Sequence, residues 1–151
     1  MHPHADGIAI HPVAHTLRTM HQPAPLEHTI TIRVRYPECD SMSYLHHSRF
    51  LQYFEMGRIE LLRSLGHDYA KLEREGVFFA VVKAEVTYRA PAKFDDELTL
   101  LTRVVKQTHV RFDHVYELRR GNTLLADAKT TIACVDRNGD LRKIPDDLIR
   151  R

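Results

Sequence analysis

Four strand-like runs follow one another in the second half of the chain, with no room for a helix between them. They are VFFAVVKAEVTYRA (77–90), DELTLLTRVVKQT (96–108), HVRFDHVYELRR (109–120) and TLLADAKTTIACVD (123–136). Parallel strands need a long crossover between them, whereas antiparallel strands join through tight turns such as that at Gly121 and Asn122. The second half of the chain is therefore predicted to form an antiparallel sheet.

The first half opens with a fifth strand-like run. In TITIRVRY (29–36) polar and apolar residues alternate strictly, and the apolar side consists of Ile30, Ile32, Val34 and Tyr36. Such alternation predicts a strand with one buried face. Order is expected to begin at His28, and Pro37 is expected to end the strand because proline has no N–H to donate.

One long helix separates this strand from the other four. Between Ser48 and Leu65 apolar residues recur every three or four positions, and charged residues fill much of the rest. This spacing predicts an amphipathic helix of about eighteen residues with a wide apolar face. Ser48 is the expected N-cap, and Gly66 is the expected C-terminal stop. The elements together predict an α+β domain in which a helix packs against an antiparallel sheet.

The N-terminal residues differ from the rest of the chain. Residues 1–28 hold six of the eleven histidines and four of the seven prolines, and no helical or strand period persists there. We predict a flexible His/Pro-rich extension over residues 1–27 and one domain over residues 28–151. His-rich tracts can bind metals, but the irregular spacing and the lack of a supporting acid or thiol predict no metal site in this tail.

Composition narrows the class of protein. A chain of 151 residues with 43% hydrophobic and 28% charged residues is expected to form one soluble folded domain. The net charge of +2, with basic residues scattered among acidic ones, predicts no nucleic-acid partner. No apolar run is long enough for a transmembrane helix, and no signal peptide is apparent. Cys39 and Cys134 are interpreted as reduced thiols, so the protein is expected to be cytoplasmic.

The junction between the first strand and the helix, CDSMSYLHHSRF (39–50), concentrates groups that can transfer protons. A catalyst without a metal or cofactor needs a nucleophile or base and a site that stabilises negative charge. A helix N-terminus supplies the second, so the amides of His47 and Ser48 are candidates for polarising a substrate carbonyl. Asp40 is the candidate carboxylate, although from the loop alone an Asx turn is the commoner role for such a residue.

Other residues at this junction have weaker claims. Glu38 is expected to be solvated, and Glu55, the alternative acid, is expected to be a surface or subunit-contact residue. A Cys39–His47 nucleophile pair lacks an orienting group, and the serines lack the G-x-S-x-G motif of serine hydrolases. His46 and His47 are adjacent but lack a third ligand for zinc. We therefore predict neither a metal nor a cofactor.

The segment YPECDSMSYLHHSRFLQYFEMGRIELLRSLG (36–66) resembles the N-terminal signature of a known family. The family is that of the small hotdog-fold acyl-CoA thioesterases of the 4-hydroxybenzoyl-CoA thioesterase type, and the likeness is greatest to the Tol–Pal-associated branch. Tyr36, Asp40 and His47 match the tyrosine, aspartate and histidine of that branch, and QYFEMGR matches its helix. The likeness continues through FFAVVKAEVTYRAPAKFDDELTL and NTLLADAKTTIACVD and covers about residues 28–146.

The resemblance implies a hotdog fold, in which a curved five-stranded antiparallel sheet wraps around a long central helix. It implies a homodimer or homotetramer, with an active site at the dimer interface that hydrolyses a thioester of CoA or of an acyl-carrier protein. Asp40 would be the catalytic carboxylate, acting as nucleophile or as general base. His47 and Tyr36 occupy the other matched catalytic positions, and Ser48 lies at the helix start near the substrate carbonyl.

Two further features bear on the substrate. Arg89 and Lys93 flank the APA turn that resembles the family's pocket mouth, and they are candidate contacts for the CoA phosphates. The family usually has small residues, often two glycines, after the aspartate, whereas Met42 and Ser43 stand here, so Met42 is expected to shape the acyl pocket. A non-catalytic acyl-thioester-binding or scaffold protein and a hotdog hydratase or dehydratase remain as alternative functions.

Overall fold

The computed structural model of the chain describes residues 24–149, so most of the predicted N-terminal tail and the last two residues lie outside the described residues. Within that range the chain forms five strands and two α-helices, together with two short 3-10 helices at Tyr36–Glu38 and Asp146–Leu148. In chain order the strands and helices are β1 (Leu26–Arg33), α1 (His47–Ser64), α2 (Tyr69–Arg74), β2 (Phe78–Tyr88), β3 (Glu97–Gln107), β4 (Arg111–Arg120) and β5 (Thr123–Val135).

The five strands form one sheet in the order β1-β3-β4-β5-β2, and every neighbouring pair is antiparallel. Register shifts in three of the four pairs, at Val81/Lys83, Val104/Lys106 and Leu118/Arg119, mark bulges. Bulges bend a strand and increase its twist, which gives the sheet its curvature. The predicted α+β class and the curved antiparallel sheet of the hotdog fold are confirmed.

Helix α1 lies against this sheet through its predicted apolar face. Its buried residues include Phe50, Tyr53, Phe54 and Leu61. The ring of Phe54 stacks on Tyr116 of β4 with a centroid distance of 4.7 Å. Each such side chain contributes about 1.5–3 kcal/mol when it is fully removed from water, so this face is a main source of stability.

Gly57 allows the helix to approach the sheet closely. A Cβ atom at this position would lie 2.3 Å from Thr102 Oγ1 and 2.9 Å from Leu100 Cδ2, both on β3. Real Cβ atoms essentially never come within 3.0 Å of another heavy atom. The distance between α1 and β3 therefore depends on the absence of a side chain at residue 57.

The ends of α1 differ in part from the prediction. Gly66 has a φ of 88°, its N–H donates to Arg63 O, and the N–H of His67 donates to Leu62 O. This Schellman arrangement confirms Gly66 as the C-terminal stop. At the other end the predicted N-cap is wrong, because the N-cap residue is His46 and Ser48 lies inside the first turn.

The bounds of β1 also differ from the prediction. The strand begins at Leu26, two residues before His28, and ends at Arg33. Ile32 and Val34 are buried as predicted, but Tyr36 is 77% exposed. The alternation ends early because the chain turns into the 3-10 helix, whose second residue is Pro37.

Strand β2 forms one edge of the sheet and is exposed along much of its length. Val81 and Val82 are each 52% exposed, and Tyr88 at its end is also exposed. An edge strand of this length with apolar side chains offers unpaired backbone groups to another chain.

Among the described residues, no helix is long and apolar enough to cross a membrane.

Candidate active site

Residues 38–46 form a short hairpin between the 3-10 helix and α1. The N–H of His46 donates to Glu38 O at 2.9 Å, Cys39 and Leu45 form an antiparallel bridge, and the N–H of Asp40 donates to Tyr44 O at 2.8 Å. These bonds hold the two arms of the hairpin together. Asp40 thus lies at the last paired position before the tip of the hairpin. The opposite arm leads into α1 through His46, so these bonds fix the Asp40 backbone relative to the start of the helix.

The side chain of Asp40 is fixed through one of its two oxygens. Oδ1 accepts hydrogen bonds from the N–H of Met42 at 2.8 Å and from the N–H of Tyr44 at 3.2 Å. This is the Asx turn that the loop sequence suggested. Within residues 24–149, Oδ2 has no hydrogen-bond partner, and the residue is exposed. One carboxylate oxygen therefore orients the group while the other stays available.

The same turn occurs a second time in the chain, at Asp136. There Oδ1 accepts from the N–H of Asn138 at 2.8 Å and from the N–H of Asp140 at 3.1 Å. The left-handed position is occupied by Gly139, with φ 83°, whereas the corresponding residue after Asp40 is Ser43, with φ 62°. Glycine adopts this conformation without steric cost, so Ser43 departs from the residue that the turn favours.

The amides in the first turn of α1 differ in their hydrogen bonds. His46 Nδ1 accepts from the N–H of Ser48 at 3.2 Å and lies 2.7 Å from Ser48 Oγ. The N–H of Arg49 donates to His46 O at 2.9 Å. In the described part of the chain, the N–H of His47 has no acceptor. The expectation that the amides of both His47 and Ser48 are available is therefore wrong for Ser48.

Two exposed apolar side chains lie in or beside the hairpin. Tyr36 packs edge-on against Phe94 with a centroid distance of 5.6 Å, and Met42 at the tip is also exposed. Within the described range, Tyr36 makes no hydrogen bond to Asp40. The structure therefore places Tyr36 in an apolar contact rather than on the carboxylate.

The two candidate phosphate contacts occupy different environments. Lys93 forms an antiparallel bridge with Tyr44, and its Nζ lies 5.9 Å from the centre of the Tyr44 ring. Arg89 is engaged by a close ion pair with Asp127 of β5. Lys93 is therefore beside the Asp40 hairpin with its ammonium group exposed, whereas the guanidinium of Arg89 already has an acidic partner.

Comparison with known proteins places the chain in a family. Residues 34–151 match the model of the thioesterase-like superfamily. The chain belongs to this superfamily. The acyl-CoA thioesterase YbgC of Haemophilus influenzae is 34% identical over 108 residues, which cover 70% of this chain and 78% of that protein. The acyl-CoA thioester hydrolase YbgC of Escherichia coli O6:H1 is 31% identical over 106 residues, which cover 70% and 79%.

Solved structures agree with this assignment. The crystal structure of a probable thioesterase from Bartonella henselae superposes with a TM-score of 0.76 at 32% identity, covering 79% of this chain and 99% of that one. A hypothetical protein from Thermus thermophilus superposes with a TM-score of 0.74 at 35% identity, covering 79% and 92%. The resemblance identified from the sequence is confirmed, and the chain is a thioester hydrolase by family.

The sequence prediction missed a buried acid of this thioesterase. Glu38 was expected to be solvated, but it is only 4% exposed. Its Oε1 accepts from Arg35 Nη2 at 2.8 Å, and its Oε2 accepts from the N–H of Arg35 at 2.9 Å and from the Tyr53 hydroxyl at 2.7 Å. The group therefore joins the arm that carries Asp40 to the middle of α1.

These hydrogen bonds keep Glu38 ionised despite its burial. Burial raises the pKa of the Glu38 carboxyl, but hydrogen bonds from Arg35 and Tyr53 outweigh it and hold that pKa below its ordinary value. The pKa of Tyr53 is raised, by burial first and then by its bond to the carboxylate. A tyrosine on the apolar face of a helix requires a partner for its hydroxyl, which is the one sequence signal for this contact.

Two alternative groups are placed less favourably for chemistry. Burial raises the pKa of the Cys39 thiol, and the nearby Asp40 carboxylate raises it further, so the thiolate is disfavoured. Glu55, the alternative acid, is exposed two turns along α1. It lines a cavity that the residues of the Asp40 hairpin do not line.

Proposed function

We propose that the protein hydrolyses acyl-CoA thioesters with Asp40 as the catalytic carboxylate. The observation that carries this proposal is the split role of the two oxygens, since Oδ1 is held by two backbone amides and Oδ2 has no partner among residues 24–149. The free N–H of His47 lies at the start of α1, where the positive end of the helix dipole favours a developing oxyanion.

Two routes are compatible with this arrangement. In the first, Oδ2 of Asp40 attacks the thioester carbon, the CoA thiolate leaves and takes a proton, and water then cleaves the resulting anhydride. In the second, the Asp40 carboxylate accepts a proton from a water molecule as that water attacks the carbonyl carbon, and the tetrahedral intermediate then expels the CoA thiolate, which takes up the proton. In both routes the N–H of His47 donates to the carbonyl oxygen as it gains negative charge.

Hydrolysis of a panel of acyl-CoAs tests the proposal directly. The names of the YbgC relatives support CoA as the carrier, and matched acyl-carrier-protein thioesters test the second carrier that the sequence left open. Release of free thiol from one or more acyl-CoAs is the expected result. Binding without hydrolysis would favour the acyl-thioester-binding alternative, and addition or loss of water on an enoyl or hydroxyacyl chain would favour a hydratase.

We propose that the protein acts as a homodimer, alone or paired into a tetramer, with β2 at the subunit contact. Asp40 is exposed in the single chain, so a water-excluding site needs a wall from elsewhere. The exposed valines of β2 and the exposed Leu51 on α1 are apolar surfaces that a second copy would cover. Antiparallel pairing of β2 with its copy would continue the sheet from one subunit into the other.

A charge on β2 is expected to weaken this assembly. Val82→Lys places an ammonium group on the edge strand, a device that blocks edge-to-edge pairing. Light scattering should show the wild type at a multiple of the 17.6 kDa chain mass and the variant shifted toward that mass. Thr31→Lys on the opposite edge strand β1 is the matched control. A wild-type monomer, or equal effects of both variants, would contradict the proposed contact.

Lys93 is proposed to contact the CoA phosphates, and Arg89 is expected to contribute less because Asp127 already engages it. Lys93→Ala should raise KM for acyl-CoA by about 2- to 5-fold, since an exposed charge contact is worth roughly 1 kcal/mol or less. Arg89→Ala should change KM less. Hydrolysis of a short thioester without phosphates should be unaffected by either variant, and equal effects on both substrates would exclude the phosphate role.

A further inference from the structure

A cavity among the described residues lies away from Asp40. It has a volume of about 410 Å³ and is lined by the C-terminal half of α1, by α2, by the sheet and by residues 147–149. None of the predicted site residues from Tyr36 to Ser48 lines it. Its size falls within the range of small-molecule pockets, which is about 300–1,000 Å³.

Most of the cavity wall is apolar. Ile59 and Leu62 contribute from α1, and Phe79, Phe112 and Ile132 contribute from the sheet. The ring centroids of Phe79 and Phe112 lie 6.0 Å apart, and those of Phe112 and His114 are also 6.0 Å apart. A chain or ring of hydrocarbon placed here would be removed from water on several sides.

Arg58 brings a positive charge to this apolar wall. The residue is partly buried, and its Nη1 donates to the Tyr116 hydroxyl at 3.0 Å. No aspartate or glutamate lies within ion-pair distance of its guanidinium in the part of the chain that the structure describes. A partly buried cation without an acidic partner can stabilise a bound anion.

His114 supplies a second polar group to the cavity wall. The side chain is 6% exposed, and its buried Nδ1 makes no hydrogen bond within the described residues. Burial, followed by the charge of Arg58, lowers its pKa to about 3, so the imidazole is neutral near pH 7. The other ring nitrogen, Nε2, is not among the fully buried unpartnered atoms and also makes no hydrogen bond within residues 24–149, so it is the nitrogen of this cavity-lining residue that a ligand can reach.

The other polar groups of the cavity do not compete for the same position. Glu55 and Asp147 are exposed, and Asp147 Oδ2 lies 3.8 Å from Nδ1 of His67. Burial raises the pKa of the Tyr69 hydroxyl, so this side chain is neutral near pH 7. Within residues 24–149, Arg58 and His114 are thus the basic lining groups of the cavity that have no acidic partner.

We propose that this cavity binds a free carboxylic acid with an apolar body. The hydrocarbon would lie against Ile59, Leu62 and Phe112, and the carboxylate would accept hydrogen bonds from the guanidinium of Arg58 and from the imidazole N–H of His114. This inference rests on the cavity alone and holds whether or not Asp40 is catalytic. The acid product of thioester hydrolysis belongs to the same ligand class. Occupancy of the cavity would therefore rise with the concentration of that product.

Decanoate and decanol, added separately to the full chain, provide the first test. We expect decanoate to bind at least tenfold more tightly than decanol in calorimetry, because only the carboxylate pairs with Arg58. Nitrogen NMR of the imidazoles at pH 7 should show the His114 ring signals shifting with decanoate and unchanged with decanol, since only the carboxylate accepts a hydrogen bond from the ring N–H. Equal binding of the two compounds, or no change at His114 at saturating decanoate, would overturn the proposal.

Single substitutions test where on the chain decanoate binds. Arg58→Gln is expected to weaken decanoate binding at least tenfold without changing decanol binding, whereas Arg63→Gln, an exposed arginine of the same helix, should change neither. His114→Phe, which removes the polar ring without enlarging the cavity, should also weaken decanoate binding and gives a second test if Arg58→Gln does not fold. Asp40→Asn should bind decanoate as the wild type does. Loss of binding in Asp40→Asn would place the acid at the hairpin and overturn the proposal.

Discussion

Replacing Asp40 with asparagine is expected to lower kcat by a factor of about 10²–10⁴, with a larger loss if the carboxylate is the nucleophile. The amide oxygen of asparagine can keep the two hydrogen bonds that Oδ1 accepts from Met42 and Tyr44. Its NH₂ group would then stand where Oδ2 stands, with neither charge nor basicity. The substitution therefore removes the reactive oxygen while it leaves the turn intact. Steady-state kinetics on the best acyl-CoA of the panel measures the effect.

The second Asx turn of the chain supplies a matched control. Asp136→Asn makes the same chemical change in a turn with nearly the same hydrogen bonds, on an exposed loop. It should leave kcat unchanged, and circular dichroism should show both variants folded. A folded Asp40→Asn variant that keeps more than about a tenth of kcat would have lost less than roughly 1.4 kcal/mol of transition-state stabilisation. The catalytic role would then move to Glu55 or be abandoned.

The imidazole of His47 is expected to matter less than the carboxylate of Asp40. His47→Ala removes the ring but keeps the backbone N–H to which the proposal assigns the substrate carbonyl. The loss in kcat should therefore be smaller than that of Asp40→Asn. A larger loss would mean that the His47 ring, rather than its amide, takes part in the reaction.

Gly57→Ala is expected to cause the largest loss of stability among single-methyl changes in α1. The added Cβ would meet Thr102 Oγ1 at 2.3 Å and Leu100 Cδ2 at 2.9 Å, so α1 and β3 must move apart or repack. Overpacking of this kind costs about 1–3 kcal/mol, and the better helix propensity of alanine recovers at most about 1 kcal/mol of it. Urea unfolding at one fixed protein concentration measures the change in free energy.

A double-mutant cycle identifies the contact that causes the loss. Thr102 Oγ1 is buried and has no hydrogen-bond partner among the described residues, so Thr102→Ala breaks no hydrogen bond there. Gly57→Ala combined with Thr102→Ala should lose at least about 1 kcal/mol less than the sum of the two single changes. Additive losses, or a Gly57→Ala variant as stable as the wild type, would contradict the close approach of helix and sheet.

Some features were predictable because neighbouring residues encode them. Alternation with a period of two, the change to a helical period after Ser48, and the glycines at residues 66 and 121 are local signals, and they gave the strands, the helix and its stop. Each of these signals lies within a window of about a dozen residues. The position of Asp40 in an Asx turn was likewise a local expectation, and the structure confirms it.

The failures concern residues whose environment is set by distant parts of the chain. Glu38 looked like a solvated acid, but the Tyr53 hydroxyl, fifteen residues later, meets it in the interior. Ser48 has good capping chemistry, yet the ring of His46 takes the capping position. Tyr36 continued the apolar alternation, but the chain had already left the sheet.

The sequence by itself thus determined the class of fold, the order of its elements along the chain and the turn at Asp40, because hydrophobic period and turn chemistry act over short distances. Only the tertiary structure decided which charges are buried, which amide at the helix start stays free, and how Arg58 comes to share an apolar cavity with His114. The cost of burying a polar group depends on the partners it finds there, and folding brings those partners from elsewhere in the chain.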